Sequence, residues 1–136
     1  MDHFGRLLKQ ANNNMMRHFD HFAKQFGLTG NQMAVIDFIM NHEKQEIFQR
    51  DIEHEFNIQR STTTVLLQRM EKKGLIERHT SSKDARQKAV VLTDKAVKIA
   101  SACQAYLRAE EEEFAQQFSA EEREIFLNIL QHYRNL

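Results

Sequence analysis

The stretch RSTTTVLLQRMEKKGLIER, residues 60–78, changes its pattern partway along and thereby decides the fold. Its first part repeats apolar positions every three or four residues, which predicts a helix over residues 59–73 with one buried face. That face holds Thr63, Leu66, Leu67 and Met70. Gly74 is expected to end the helix, and a period of two over residues 75–80 then predicts a strand.

The segments on either side complete a recognisable unit. A two-turn helix is predicted over residues 49–56, and Asn57 suits the left-handed turn that must follow it. Two helices joined by so short a turn form a helix-turn-helix. Downstream, a strand over residues 88–92 follows a polar tip, so the strand pair is a hairpin, or wing. A brief strand is also expected at Ile47 and Phe48.

Further helices are predicted before and after this unit. A first helix over residues 2–26 ends at Gly27, and a capping box at Thr29 starts a second helix that runs to about residue 41. Thr93 caps a fifth helix, and a capping box at Ser119 starts a sixth. The expected fold is mainly α, a winged helix-turn-helix with six helices and a small antiparallel β-wing.

The first and fifth helices are long for a chain of 136 residues. A 25-residue helix measures roughly 37 Å, whereas a globule of this size has a radius of gyration near ~14 Å. The apolar stripes of the terminal helices therefore need a partner, and a second copy of the chain would supply one. The last helix is expected to bury Phe126, Ile129, Leu130 and Tyr133. We expect one domain, with residues 29–96 as the winged lobe and residues 1–28 and 97–136 as dimerisation helices.

The charge is zero overall but unevenly distributed. Residues 50–98 carry eleven basic and seven acidic side chains, a net of +4, and residues 99–136 carry three basic and seven acidic, a net of −4. A basic middle favours a polyanionic partner, although such an asymmetry also arises by chance. The longest apolar runs are four residues, so neither a membrane span nor a signal peptide is expected. The single cysteine favours a reducing, cytoplasmic location.

The outer face of the helix over residues 59–73 has the chemistry of a DNA-reading surface. Arginine pairs with guanine, glutamine with adenine, hydroxyls with phosphates or base edges, and valine with a thymine methyl. The candidates are Arg60, Ser61, Thr62, Thr64, Val65, Gln68 and Arg69. A plain solvated face is the alternative, but an apolar Val65 among short polar residues is unusual for one.

The wing carries a second set of candidates for DNA contact, namely Lys83, Asp84, Arg86 and Lys88. Arg86 at a hairpin tip is placed to enter a minor groove, where narrow A·T tracts deepen the negative potential. Asp84 fits beside DNA if it pairs with a neighbouring arginine and fixes its direction. An ordinary charged turn is the alternative.

Three segments resemble the MarR family of bacterial regulators in their order and spacing: LTGNQMAVIDFI, RSTTTVLLQRMEKKGLIER and DARQKAVVLT. The resemblance implies a homodimeric repressor that binds a pseudo-palindromic DNA operator and responds to a small-molecule effector. By resemblance, the recognition helix holds Ser61, Thr62, Thr64, Gln68 and Arg69, and the wing tip holds Asp84 and Arg86. Two positions depart from the family pattern: Ala85 replaces a second wing arginine, and Ala96 replaces a glycine.

Other functions have less support. His18 and His21 are one helical turn apart and are candidate metal ligands, and Cys103 is a candidate redox sensor. Either would make the protein a metal- or redox-responsive regulator of the same fold. A winged-helix module that binds proteins instead of DNA is a further alternative, suggested by the zero net charge and Ala85. No enzymatic motif is present in the sequence, and we expect no cofactor.

Overall fold

The computed structural model describes residues 2–136 and confirms the expected fold class. Within those residues it contains six helices and one antiparallel pair of strands. In chain order the elements are α1 (Phe4–Lys24), α2 (Gly30–Met40), α3 (Gln49–Phe56), α4 (Arg60–Lys72), β1 (Ile76–Thr80), β2 (Lys88–Leu92), α5 (Asp94–Gln117) and α6 (Ala120–Arg134).

Two capping boxes begin helices where the sequence predicts them. At the start of α2, the Thr29 hydroxyl accepts from the backbone N–H of Gln32 at 3.2 Å, and the Gln32 side chain accepts from the backbone N–H of Thr29 at 3.1 Å. Ser119 and Glu122 make the same reciprocal pair at the start of α6, at 3.1 and 2.9 Å. Both pairs satisfy backbone donors that a helix start leaves without partners.

Three residues with positive φ lie just after helices and end them. Gly27 follows α1 with φ 74°, and Gly74 follows α4 with φ 72°. Asn57 has φ 51° and ψ 49°, which is the left-handed turn expected between α3 and α4. Glycine and asparagine tolerate this region better than other residues. Asn57 and Gly74 therefore set the direction of the chain just before and just after α4.

The wing is the hairpin of β1 and β2, whose register runs from Ile76 opposite Leu92 to Thr80 opposite Lys88. The strand expected at Ile47 and Phe48 is absent from the described residues, so that prediction is wrong. The Ile47 carbonyl nevertheless accepts one backbone hydrogen bond from the N–H of Val90 in β2, at 2.7 Å.

A competing helix cap explains why no strand forms there. Phe48 is the residue that precedes α3, and its N–H donates to the Asp51 carboxylate at 2.8 Å. That donor is therefore used at the helix start and cannot pair with a strand.

The chain divides into two compact units, of which the first ends at Ser101 and the second is Ala102–Leu136. The core of the first unit contains buried side chains from each of its helices and from both strands. Its largest fully buried members are Met33, Val35, Ile36, Ile52, Leu67, Met70 and Leu75. In the second unit, the Phe114 ring contacts the rings of Phe118 and Phe126, each with centroids 5.8 Å apart.

Apolar side chains on α6 remain exposed in the single chain. Phe126 is 47% exposed and Ile129 is 50% exposed, and Leu130 and Tyr133 are only partly covered. The expected burial of these residues is therefore wrong for one chain, because α6 contains no buried residue. On α1, Met15 is similarly 59% exposed. No helix within residues 2–136 has both the length and the apolar character needed to cross a membrane.

Candidate nucleic-acid interface

One face of α4 is packed into the core, and this fixes which face points outward. Thr63, Leu67 and Met70 are fully buried, and Leu66 is partly buried. The opposite side of the helix is exposed, with 44% of Val65 accessible to solvent. The other exposed candidates are Arg60, Ser61, Thr62, Gln68 and Arg69. The structure thus brings six of the seven candidate side chains of this helix to its surface.

The seventh candidate, Thr64, lies at the contact between α3 and α4. Its hydroxyl accepts a hydrogen bond from the Gln49 side-chain amide at 2.9 Å and donates one to the Arg60 carbonyl at 2.9 Å. The Gln49 amide also reaches that carbonyl, at 3.4 Å. Thr64 and Gln49 therefore hold the first turn of α4 against the first turn of α3, and Thr64 is half-buried.

Lysines anchor the other end of α4. The Lys73 ammonium donates to the Gly27 carbonyl and to the Gln32 side chain, both at 2.9 Å. The Lys95 ammonium in turn donates to the Lys73 carbonyl at 2.9 Å. Two cations of the basic middle segment are thus occupied within the fold, where they satisfy carbonyls at the ends of α1 and α4.

The arginines of α4 are available for a partner. Throughout residues 2–136, neither Arg60 nor Arg69 takes part in an ion pair. Both are exposed, and by helical periodicity they lie at opposite edges of the outer face, with the exposed Val65 between them. A helix face with free arginines, hydroxyls and one apolar group is suited to the edges of bases in a major groove.

The tip of the wing contains the expected pair of Asp84 and Arg86. The Asp84 carboxylate accepts from the Arg86 backbone N–H at 3.0 Å and from two guanidinium nitrogens at 3.2 and 3.3 Å. These bonds from Arg86 lower the pKa of Asp84 below its ordinary value. The Arg86 side chain is nevertheless 91% exposed, so its direction is fixed while its outer nitrogens stay open to solvent. Lys83 and Lys88 are also exposed.

A basic cleft of about 470 Å3 lies between α3, the start of α4 and the wing. It includes two arginines that the sequence reasoning missed, Arg50 and Arg78. Arg78 is paired with Glu71 at 2.8 Å, whereas the Arg50 guanidinium lies 5.3 Å from the centre of the Phe48 ring. The full lining is Phe48, Gln49, Arg50, Glu53, Arg60, Arg78, Gln87 and Lys88.

Arg50 had a signal in the sequence. It is the second residue of α3, where the helix dipole is positive and disfavours a cation. A cation at such a position is more favourable when a polyanion lies beside it, so the place of Arg50 at the start of a predicted helix indicates a contact with a polyanion.

A larger groove of about 1060 Å3 separates α1 from the outer face of α4. Its walls combine apolar groups with cations, an anion and side-chain amides. The residues that line it are Asn12, Met16, Asp20, Lys24, Leu28, Thr29, Asn31, Gln32, Val35, Phe56, Ile58, Ser61, Thr62, Val65, Leu66 and Arg69. The groove thus shares four side chains with the DNA-reading candidates.

In the part of the chain that the structure describes, His18 and His21 do not belong to a metal-binding cluster. Across residues 2–136, no group of three or more histidine, cysteine or acidic side chains is placed to hold a metal ion. Asp20, between His18 and His21, instead accepts from the Gly30 N–H at 2.6 Å and so holds the start of α2. Cys103 is fully buried, and burial in apolar surroundings makes a thiol less reactive.

The paired helices α3 and α4, followed at once by the hairpin, define a winged helix-turn-helix protein. The sequence profile of the MarR family matches residues 26–87. The transcription regulator MarR from Oenococcus oeni PSU-1 has a crystal structure with 42% sequence identity and a TM-score of 0.90, and the match covers 98% of this chain and 100% of that one. The chain belongs to the MarR family of transcriptional regulators.

Two more distant matches are a transcriptional regulator similar in sequence and a solved structure with the same fold. The HTH-type transcriptional regulator SarZ of Staphylococcus haemolyticus (strain JCSC1435) is 27% identical over 126 residues, which is 93% of this chain and 83% of SarZ. A crystal structure of the S. aureus MepR–DNA complex has a TM-score of 0.88 at 24% identity, covering 96% of this chain and 94% of MepR. That likeness shows the same fold in a protein bound to DNA.

Proposed function

We propose that the protein is a homodimeric repressor that binds a pseudo-palindromic DNA operator and releases it when a small molecule binds. The observation that carries this proposal is the outer face of α4, where free arginines stand beside hydroxyls and an exposed Val65. The wing tip and the basic cleft flank that face. Each half-site would receive one copy of α4, and the two half-sites would lie about one helical turn apart.

The candidate side chains on the outer side of α4 have separate roles in this proposal. Arg69 and Gln68 read guanine and adenine edges in the major groove, Val65 contacts a thymine methyl, and Ser61 and Thr62 contact phosphates or base edges. Thr64 supports the reading face from below, because its hydroxyl is already bonded within the fold.

The wing and the basic cleft contact the DNA on either side of α4. Arg86 enters the minor groove with its direction fixed by Asp84, and Lys83 approaches a phosphate. Around the cleft, Arg50, Arg60 and Lys88 bind the backbone. Phosphate contacts of this kind set the orientation of a protein on the duplex without reading sequence.

The homodimer is supported by the apolar side chains that one chain leaves exposed. Single exposed apolar residues are ordinary on a protein surface, but rows of them mark an interface. On α1 the exposed residues are Leu7, Leu8 and Met15, and from the end of α5 through α6 they are Phe118, Ile125, Phe126, Leu127 and Ile129. Residues 1–28 and 97–136 would therefore join two copies of residues 29–96.

The dimer is tested by placing a charge in the proposed interface. Ile129→Asp should dissociate the dimer at micromolar concentration in sedimentation experiments and abolish operator binding, because a carboxylate cannot be buried there without a partner. Asn128→Asp, one residue away on an exposed position of the same helix, adds the same charge and should remain dimeric. If both variants remain dimeric, Ile129 does not lie in the dimer interface.

The groove between α1 and α4 is the proposed effector site. Its volume of about 1060 Å3 is sufficient for a small molecule. A ligand that fills it contacts a dimerisation helix and the reading helix together. Binding would favour a different spacing of the two reading helices in the dimer and so lower the affinity for the operator.

DNA binding is tested by recovering and sequencing the genomic fragments that the protein retains. The affinity for the recovered sequence should fall steeply with salt, with a log–log slope of about −0.9 for each phosphate contacted. A reporter gene placed behind that sequence should be expressed more strongly when the protein is removed. A flat salt response or equal retention of all fragments would contradict the proposal.

A further inference from the structure

The segment between α2 and α3 is bonded to the tip of the wing through one carboxylate. Glu46 accepts from the Ser81 hydroxyl at 2.9 Å, from the Ser82 hydroxyl at 3.0 Å and from the Ser82 backbone N–H at 3.2 Å. The hydrogen bond from Ser81 is the largest cause that lowers the pKa of Glu46. The carboxylate is therefore ionised at neutral pH and holds the wing by charge-assisted bonds.

Ser81 connects Glu46 to the rest of the wing tip through hydrogen bonds. Its hydroxyl donates to Glu46 and accepts from the backbone N–H groups of Lys83 and Asp84 at 3.1 and 3.2 Å. The side chain is buried, so all of its hydrogen-bonding capacity is used inside the protein. Asp84 in turn holds Arg86. A continuous series of hydrogen bonds thus runs from Glu46 to the arginine at the tip.

The two residues after Glu46 connect to the other parts of the DNA-binding lobe. The Ile47 carbonyl accepts from Val90 of β2, and the Phe48 N–H is held by Asp51 at the start of α3. Three consecutive residues therefore join the wing tip, a wing strand and the helix-turn-helix. Since Gln49 of α3 is hydrogen-bonded to Thr64 of α4, these three residues connect the wing tip to α4 through α3.

We propose that Glu46 is a positioning residue for DNA binding, which holds the wing so that Arg86 meets the minor groove while α4 occupies the major groove. The proposal rests on the DNA contact assigned above to Arg86. The expected change in DNA affinity on removing Glu46 is opposite to the ordinary effect of removing a carboxylate. Removing a carboxylate from a DNA-binding lobe ordinarily strengthens binding, because repulsion from phosphates is lost. If Glu46 positions the wing, its removal weakens binding instead.

The test compares Glu46→Ala with Glu43→Ala in operator titrations. Glu43 is an exposed carboxylate in the same segment, so it reports the effect of charge alone. Glu46→Ala should lower operator affinity about tenfold, a size usual for groups coupled through hydrogen bonds, while Glu43→Ala should leave it unchanged or raise it. If both variants bind equally well or more tightly than the parent, the proposal is overturned.

A double-mutant cycle separates positioning from general loss of stability. In an Arg86→Ala background the effect of Glu46→Ala should shrink to less than about twofold, because the side chain being positioned is gone. An undiminished tenfold effect in that background would overturn the proposal. Ser82→Ala removes an exposed hydroxyl and is the milder variant to use if Glu46→Ala does not fold. Ser82→Ala should also weaken DNA binding, by about threefold, because it removes one of the three hydrogen bonds to Glu46.

Amide hydrogen exchange without DNA keeps this inference separate from the proposed function. Glu46→Ala should speed exchange at the N–H groups of Ser82, Lys83 and Asp84, while amides in α4 keep their parent rates. If Arg86→Ala leaves DNA affinity unchanged while Glu46→Ala still speeds exchange at the wing amides, the DNA contact assigned to Arg86 is wrong. The positioning role of Glu46 in DNA binding is then also wrong, although Glu46 orders the wing. Parent-like exchange at the wing amides would show that Glu46 does not hold the wing and would overturn the proposal.

Discussion

The helix α4 and the tip of the wing are both proposed to contact DNA, but they are held in different ways. Beneath α4 lie fully buried side chains such as Leu67 and Met70, and hydrogen bonds from Gln49 and Lys73 anchor its ends. The wing tip is held by hydrogen bonds to Glu46. Packing is not directional and resists small displacements, whereas a hydrogen bond weakens steeply as its geometry changes. The structure thus holds α4 by packing, whereas the position of the wing tip depends on a few polar contacts.

The largest expected effect concerns the packing beneath α4. Leu67→Ala should reduce the free energy of unfolding by about 2–5 kcal/mol, since it leaves a cavity under the helix. Urea denaturation at a fixed protein concentration measures this. Val91→Ala, at an exposed position of the wing, should cost less than about 1 kcal/mol. Equal losses would show that packing does not distinguish the two regions.

An intermediate effect is expected at the reading face. Arg69→Ala should lower affinity for the operator about tenfold while leaving affinity for random DNA nearly unchanged, because a bidentate base contact discriminates between sequences. Competition titrations with both DNAs measure the ratio. Lys72→Ala removes an exposed cation from the same helix and should keep the parent ratio. If Arg69→Ala weakens both complexes equally, Arg69 contacts phosphate only.

The smallest effect is expected in the basic cleft between the two regions. Arg50→Ala should weaken operator and random DNA alike and reduce the salt slope by about one, as expected for the loss of one phosphate contact. Salt titrations of the parent and the variant give the two slopes. Lys98→Ala, on the exposed side of α5, provides the control and should keep the parent slope. An unchanged slope for Arg50→Ala would remove the cleft from the interface.

Features of the fold that depend on neighbouring residues were predictable from the sequence. The capping boxes at Thr29 and Ser119 join residues three apart, and the pair of Asp84 and Arg86 joins residues two apart. The left-handed turn at Asn57 follows from the preferences of that residue alone. Each of these interactions is visible within a few letters of sequence.

Features that join distant segments were not predictable. Thr64 is on the outward side of α4 by periodicity, but Gln49, fifteen residues earlier, bonds its hydroxyl within the fold. Lys73 counts toward the basic charge of residues 50–98 but is bonded to a carbonyl at the end of α1. The strand expected at Ile47 and Phe48 does not form, because the Phe48 N–H is bonded to Asp51 at the start of α3. In all three cases a tertiary contact or a competing local bond overrides the pattern.

The contact between Glu46 and Ser81 also has a consequence for the order of folding. These residues are 35 positions apart in the chain, whereas the starts of α2 and α6 require closure of only three. Contacts between distant residues are entropically costly to form and slow a folding reaction. We therefore expect the helices to form early and the wing to dock late. The wing, which we propose contacts DNA through Arg86, would then be among the last elements of each new chain to reach its native position.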